Sequence, residues 1–119
     1  MGLDIVVYNK ERKFLNSFRA GSYNYFAEFR NVICKNVLKI EDKKIQQLFY
    51  YFIFHSDCMG KIYYTKCKKI LKGFESKEFK QALFFEYLDD ENKYFFESLE
   101  DWKNGLKLAI KNKGHLVFC

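Results

Sequence analysis

Residues 55–60 read His-Ser-Asp-Cys-Met-Gly and follow the aromatic run Phe52-Ile53-Phe54. Their types allow three chemistries. Cys58 and His55 could form a nucleophile and its general base, if sulfur and imidazole lie within hydrogen-bond reach and a third group, Asp57 or Ser56, orients the ring. His55, Cys58 and Cys67 are ligand types that zinc accepts. The third use is mechanical. A histidine in the last turn of a helix interacts well with the unpaired carbonyls there. Ser56 and Asp57 bond to nearby backbone N–H groups, and Gly60 permits a positive φ.

Spacing separates these readings. Side chains so close together at a helix end splay around the turn, and the only other histidine, His115, stands near the C-terminus. The chain carries no Gly-rich phosphate loop, nucleophile elbow or spaced carboxylate signature. It also has no CxxC or HxxxH that would make a recognised zinc pattern. The expectation is therefore no catalytic residue, no metal and no cofactor, with His55, Ser56, Asp57 and Gly60 forming a structural turn. That turn ends an apolar helix and sets the direction of the residues after it. Tyr63, Tyr64, Lys66 and Lys69 are the candidate partner-binding anchors, because rigid tyrosines beside lysines bury much area at small entropic cost.

The elements that position this turn follow from periodicity. Residues 3–9, LDIVVYN, read as a β-branched strand, apolar on consecutive positions and so expected to be central and covered on both faces. The polar residues 10–13 form a turn, and 14–20 an antiparallel second strand. Ser22 is a helix N-cap, and Phe26, Phe29, Ile33 and Val37 recur at helical spacing over about 23–38. Ile45, Leu48, Phe49, Phe52 and Ile53 mark one helix after the acidic start at 41–42. Tyr50, Tyr51 and Phe54 make it apolar nearly all round, so it is expected to be largely buried or half covered by a partner. Lys61 to Tyr64 lead into a basic helix at about 64–73 with Cys67, Ile70 and Leu71 inward. Gly73 weakens that helix. Ser76 caps a further one carrying Phe79, Ala82 and Leu83. Aromatic runs at 84–88 and 93–96 around a polar loop suggest a hairpin. Ser98 and Asp101 resemble a capping box for a helix with Leu99, Trp102, Leu106, Ala109 and Ile110 inward, stopped by Gly114. Residues 115–119 form a strand returning to the sheet of residues 3–9. The sum is an α+β fold: one domain, with a small mixed sheet packed against about four helices.

Bulk composition agrees with a single domain. The chain has 119 residues, 49% of them hydrophobic and 20% aromatic, with no proline. A chain of this length buries roughly two thirds of its unfolded surface and needs no disulfides. The formal net charge is +6, yet of 21 basic residues only Arg12, Arg19 and Arg30 are arginine. Phosphate and base recognition favour the planar arginine fork, and lysine, asparagine and aromatic residues all have AT-rich codons. A basic nucleic-acid-binding regulator is therefore the alternative reading, and Lys66, Lys68, Lys69 and Lys72 would be its face. A small cysteine-dependent enzyme built on Cys58 is a third. Asp4 and residues 9–13 interrupt any N-terminal apolar run, so no export signal is visible. Cytoplasmic location and free thiols are the expectation. The longest apolar run, 48–54, is far short of the ~20 residues of a membrane helix.

Several stretches together resemble a family of small bacterial immunity proteins from polymorphic toxin systems. They are Met1-Gly2-Leu3; Gly21-Ser22-Tyr23 with Phe26, Phe29 and Arg30; His55-Ser56-Asp57-Cys58-x-Gly60; and the terminal helix with residues 115–119. The resemblance spans nearly the whole chain in short pieces. It implies a non-enzymatic α+β domain that binds and silences a cognate toxin by occluding its active site. Where such proteins tend to show an acidic helix start after the glycine, this chain has Lys61-Ile62-Tyr63-Tyr64-Thr65-Lys66. A +6 chain suits an acidic toxin rather than a basic nuclease cleft. Exposed tyrosines and phenylalanines leave a homodimer open.

Overall fold

The first strand sets the geometry of the whole chain. In β1 (Gly2–Tyr8), Leu3, Ile5 and Val7 point inward and are at most 1% exposed, while Gly2, Asp4, Val6 and Tyr8 lie on the other face. This is the period-two alternation of a sheet covered on one side only. The strand is central, as the sequence predicts, but among the described residues a helical layer covers only one of its faces. A computed structural model describes residues 2–56, 60–84 and 93–119. Among these residues a four-stranded sheet runs in the order β2-β1-β4-β3, with β2 Phe14–Ser22, β3 Lys61–Tyr63 and β4 His115–Phe118. All three pairings are antiparallel, so the sheet is not mixed. The terminal strand does return beside β1, and it fills the place between β1 and the edge strand β3.

Six helices are present among the described residues: α1 Tyr23–Val37, α2 Lys43–Gln47, α3 Tyr50–Phe54, α4 Tyr64–Phe74, α5 Lys77–Phe84 and α6 Lys93–Lys111. Ser22 caps α1, its hydroxyl accepting the Tyr25 N–H at 3.0 Å. Ser76 does the same before α5, accepting from Phe79 N–H at 3.2 Å. The single helix expected over 43–54 is two helices. Leu48 and Phe49 take N–H bonds back to Ile45 and Gln46, three residues earlier, and this tighter step resets the helical phase. It drives Phe49 into the core against Phe74 and Phe79, with ring centroids 5.7 and 4.9 Å away. It also turns Tyr50, Tyr51 and Phe54 outward.

Of the hairpin expected from the runs 84–88 and 93–96, the second arm is helical. Residues 85–92 lie outside the described residues, but 93–96 are the first turn of α6. Phe95, Leu99, Trp102, Leu106 and Ala109 are buried as one stripe, so the helical period extends through the aromatic run. Ser98 is consequently interior to α6 and caps nothing; its hydroxyl bonds the Tyr25 phenol at 2.8 Å. At the other end, the left-handed residue is Lys113, with φ 50°, not Gly114. Gly114 is small because the Tyr8 carbonyl passes 1.8 Å from where a Cβ would stand.

Between sheet and helices lies one aromatic core. Trp102 sits at its centre, stacked on Phe26 at 5.6 Å and met edge-on by Phe18 and Phe52 at 5.1 and 5.0 Å. Such edge-to-face contacts add about 0.5–1.5 kcal/mol each beyond the area they bury. No helix among the described residues is long and apolar enough to cross a membrane.

Candidate functional site

The segment after α3 is held from several sides. His55 ends the helix in an extended conformation, φ −70° and ψ 149°. Its ring does not turn back to the helix carbonyls as the sequence suggests. It points forward: Nδ1 lies 2.8 Å from the Ser56 carbonyl and Nε2 3.2 Å from the Lys61 carbonyl, and a neutral ring donates its single N–H to one of the two. Phe118 of β4 packs on the ring, centroids 4.5 Å apart. Arg30 of α1 donates from Nη1 to the His55 carbonyl and lies 5.0 Å above the Phe26 ring. Gly60 has φ 105°, and a Cβ there would stand 3.1 Å from His55 Cε1. Its carbonyl accepts the Phe118 N–H at 3.1 Å. The imidazole thus sits between backbone carbonyls on both sides of the corner, donating to one of them, and the edge strand β3 starts from this corner. Ser56 is exposed. Asp57 and Cys58 lie outside the described residues.

The remaining thiols do not join this corner into a reaction centre. Cys67 faces inward from α4, fully buried, its Sγ–H directed at the Ile62 carbonyl at 3.5 Å. Burial pushes its pKa up to about 12, so it is a neutral thiol at physiological pH. Cys34 is half-buried and Cys119 exposed. Among the described residues no three His, Cys, Asp or Glu side chains are grouped to hold a metal ion.

The four candidate anchors divide between two surfaces. Lys66 and Lys69 line an open groove of about 550 Å³ between α3 and α4, together with Tyr50, Tyr51 and Phe54. Lys66 Nζ lies 5.5 Å above the Tyr51 ring, a cation–π distance. Phe54 is 79% exposed, the most exposed large apolar side chain of the described residues. Tyr64 opens α4, half-buried, with Lys68 Nζ 5.4 Å over its ring. Tyr63 belongs elsewhere. It lies on the uncovered face of the sheet, 5.7 Å from His115, which in turn stacks on Tyr8 at 5.5 Å. The row Tyr8–His115–Tyr63 crosses three strands. Burial beneath these rings lowers the His115 pKa, and the positive charges of Lys61 and Arg12 lower it further.

Sequence reasoning left Tyr50, Tyr51 and Phe54 either buried or covered by a partner and did not name them as anchors. Positions 50, 51 and 54 sit one, two and five residues after the inward Phe49, and they become a separate outer face only once the helix is broken at 48–49. It also missed the cross-strand row, because registers between distant strands are not written in local spacing. Compared with family models, curated proteins and solved structures, the chain matches none.

Proposed function

We propose that the chain is a non-enzymatic inhibitor, acting in the cytoplasm, that sequesters one cognate bacterial toxin by seating its α3–α4 groove on an acidic face of that toxin. The observation that carries this reading is Phe54. It stands 79% exposed beside Tyr50 and Tyr51, with Lys66 and Lys69 along the same groove. Burying such a side chain in a partner recovers about 1.5–3 kcal/mol, and aromatic anchors flanked by charge are where binding energy concentrates. The two lysines select an acidic partner and speed encounter. The resemblance of the His55–Gly60 stretch and the Gly21–Tyr23 helix start to immunity proteins supplies the toxin as the class of partner.

The test is co-expression with the toxin encoded beside this gene, followed by co-purification and calorimetry. The native chain should co-purify and protect cells. Phe54→Ala should weaken affinity about 30-fold, the ~2 kcal/mol of a hot-spot residue. Lys66→Ala with Lys69→Ala should mainly slow association. Failure to co-purify removes the reading, and so does full affinity in Phe54→Ala. A gel-retardation signal that falls steeply with salt would instead assign the basic surface to nucleic acid.

A further inference from the structure

The uncovered sheet face holds a second, smaller feature that the inhibitor reading does not use. Tyr8, Arg12, Lys61, His115 and Val117 line an open pocket of about 340 Å³. No carboxylate is among these residues. The acidic residue on this face of β1, Asp4, is engaged by Arg19 at 3.3 Å. Among the described residues neither Arg12 nor Lys61 forms an ion pair. Among the described residues, then, two cations face one cavity without a carboxylate paired to either. Register places Lys61 opposite Val117 and Tyr63 opposite His115, so Lys61 and His115 are diagonal neighbours on one face.

Arg12 reaches this position from a strained backbone. The β1–β2 turn is closed by Asn9, whose Oδ1 accepts the Glu11 and Lys13 N–H groups at 2.9 Å each. Arg12 follows with φ 65°, the left-handed conformation that glycine or asparagine adopts at less cost. From that backbone Arg12 lines the pocket. His115 is 6% exposed at the pocket floor, and the two positive charges oppose its protonation. An anion in the cavity would reverse that local field. The planar guanidinium, the ammonium, the imidazole N–H and the Tyr8 hydroxyl are the donors that a tetrahedral oxyanion uses.

We propose that Arg12, Lys61 and His115 form a binding pocket for a phosphate group on the open face of the sheet. Tyr63, 54% exposed beside His115, gives the pocket an aromatic edge on which a nucleotide base can stack. The site is independent of the α3–α4 groove and of any toxin.

Thermal unfolding of the isolated chain tests it with inorganic phosphate against sodium chloride at matched ionic strength. Phosphate at ten times its dissociation constant should raise the melting temperature by about 6 °C. Arg12→Gly relieves the left-handed strain, so it should melt no lower than the native chain without phosphate, yet lose the phosphate-dependent rise. Lys61→Gln should lose that rise as well, and Lys80→Gln on α5 should keep it. Adenosine monophosphate supplies the second arm. A larger rise than with phosphate, reduced to the phosphate value by Tyr63→Ala, identifies a nucleotide as the source; an equal rise identifies the phosphate group alone. The proposal is overturned if chloride produces the same rise, or if Arg12→Gly and Lys61→Gln retain it.

Discussion

Gly60→Ala is the sharpest perturbation of the corner that follows α3. At φ 105° a side chain is outside the favoured left-handed region, and such strain costs of order 1–3 kcal/mol. The new Cβ would also stand 3.1 Å from His55 Cε1 and 3.2 Å from Nε2. The ring has little room to retreat, because Phe118 packs on it at 4.5 Å and its nitrogens face the Ser56 and Lys61 carbonyls. Displacing it forfeits a hydrogen bond worth about 1 kcal/mol. The expected loss is about 2–4 kcal/mol, which lowers the melting temperature by about 10 °C in a domain of this length. Urea unfolding followed by circular dichroism reads this as a shifted midpoint at unchanged slope. In a His55→Ala background the clash is gone and only backbone strain remains, so the same substitution should cost measurably less. A loss under about 0.5 kcal/mol, or identical losses in the two backgrounds, would refute the view that glycine and imidazole act together.

Three further outcomes are expected. Ser98→Ala and Tyr25→Phe should each cost about 1 kcal/mol and show a coupling of similar size in a double-mutant cycle, since their hydroxyls bond at 2.8 Å inside the helix pair; additive losses would contradict the contact. With Cys34, Cys58 and Cys119 changed to serine, native Cys67 should resist a thiol-disulfide reagent at pH 8, where a pKa of about 12 leaves roughly one thiolate in ten thousand, and should react fully in urea. His115 faces the Tyr8 phenol from β1, Lys61 and Tyr63 from β3, and Arg12 from the β1–β2 turn. Its folded pKa is lowered, so the unfolded chain binds the proton more readily. The stability it contributes is present above the unfolded pKa, ~6.5, and is lost as pH falls through the lower folded value. His115→Phe should flatten that part of the pH–stability profile, and an unchanged profile would contradict the assignment.

Where residues declare their environment locally, the sequence was a good guide. Ser22 and Ser76 cap helices because a hydroxyl three residues before an N–H is a local fact. The α1 and α6 stripes follow from a sustained 3.6-residue period. The readings that changed depended on longer-range packing. Aromatic residues 93–96 suit a strand and a helix equally, and Phe95 packing at 5.1 Å on Phe29 selects the helix. Nothing local shows that Phe49 must reach Phe74 and Phe79, which is what divides α2 from α3 and exposes Phe54. Gly73 reads as a weak point of α4, but a Cβ there would lie 2.9 Å from the Phe49 ring, so its smallness serves that same packing. The candidate surface was half legible for this reason. Lysines at 66 and 69 share a helix face by spacing alone, whereas Tyr63 joins His115 and Tyr8 only through strand register.

The proposed role rests on occupancy of a partner's surface, and occupancy has a stoichiometry. Titrating the purified chain into a fixed amount of the toxin it is proposed to bind, with toxin activity as the readout, measures it directly. A tight one-to-one endpoint, shifted to much higher concentration by Phe54→Ala, is the predicted result. Complete neutralisation at a small fraction of one equivalent would mean that the chain turns over a substrate, and an absent endpoint would mean that the groove binds something else.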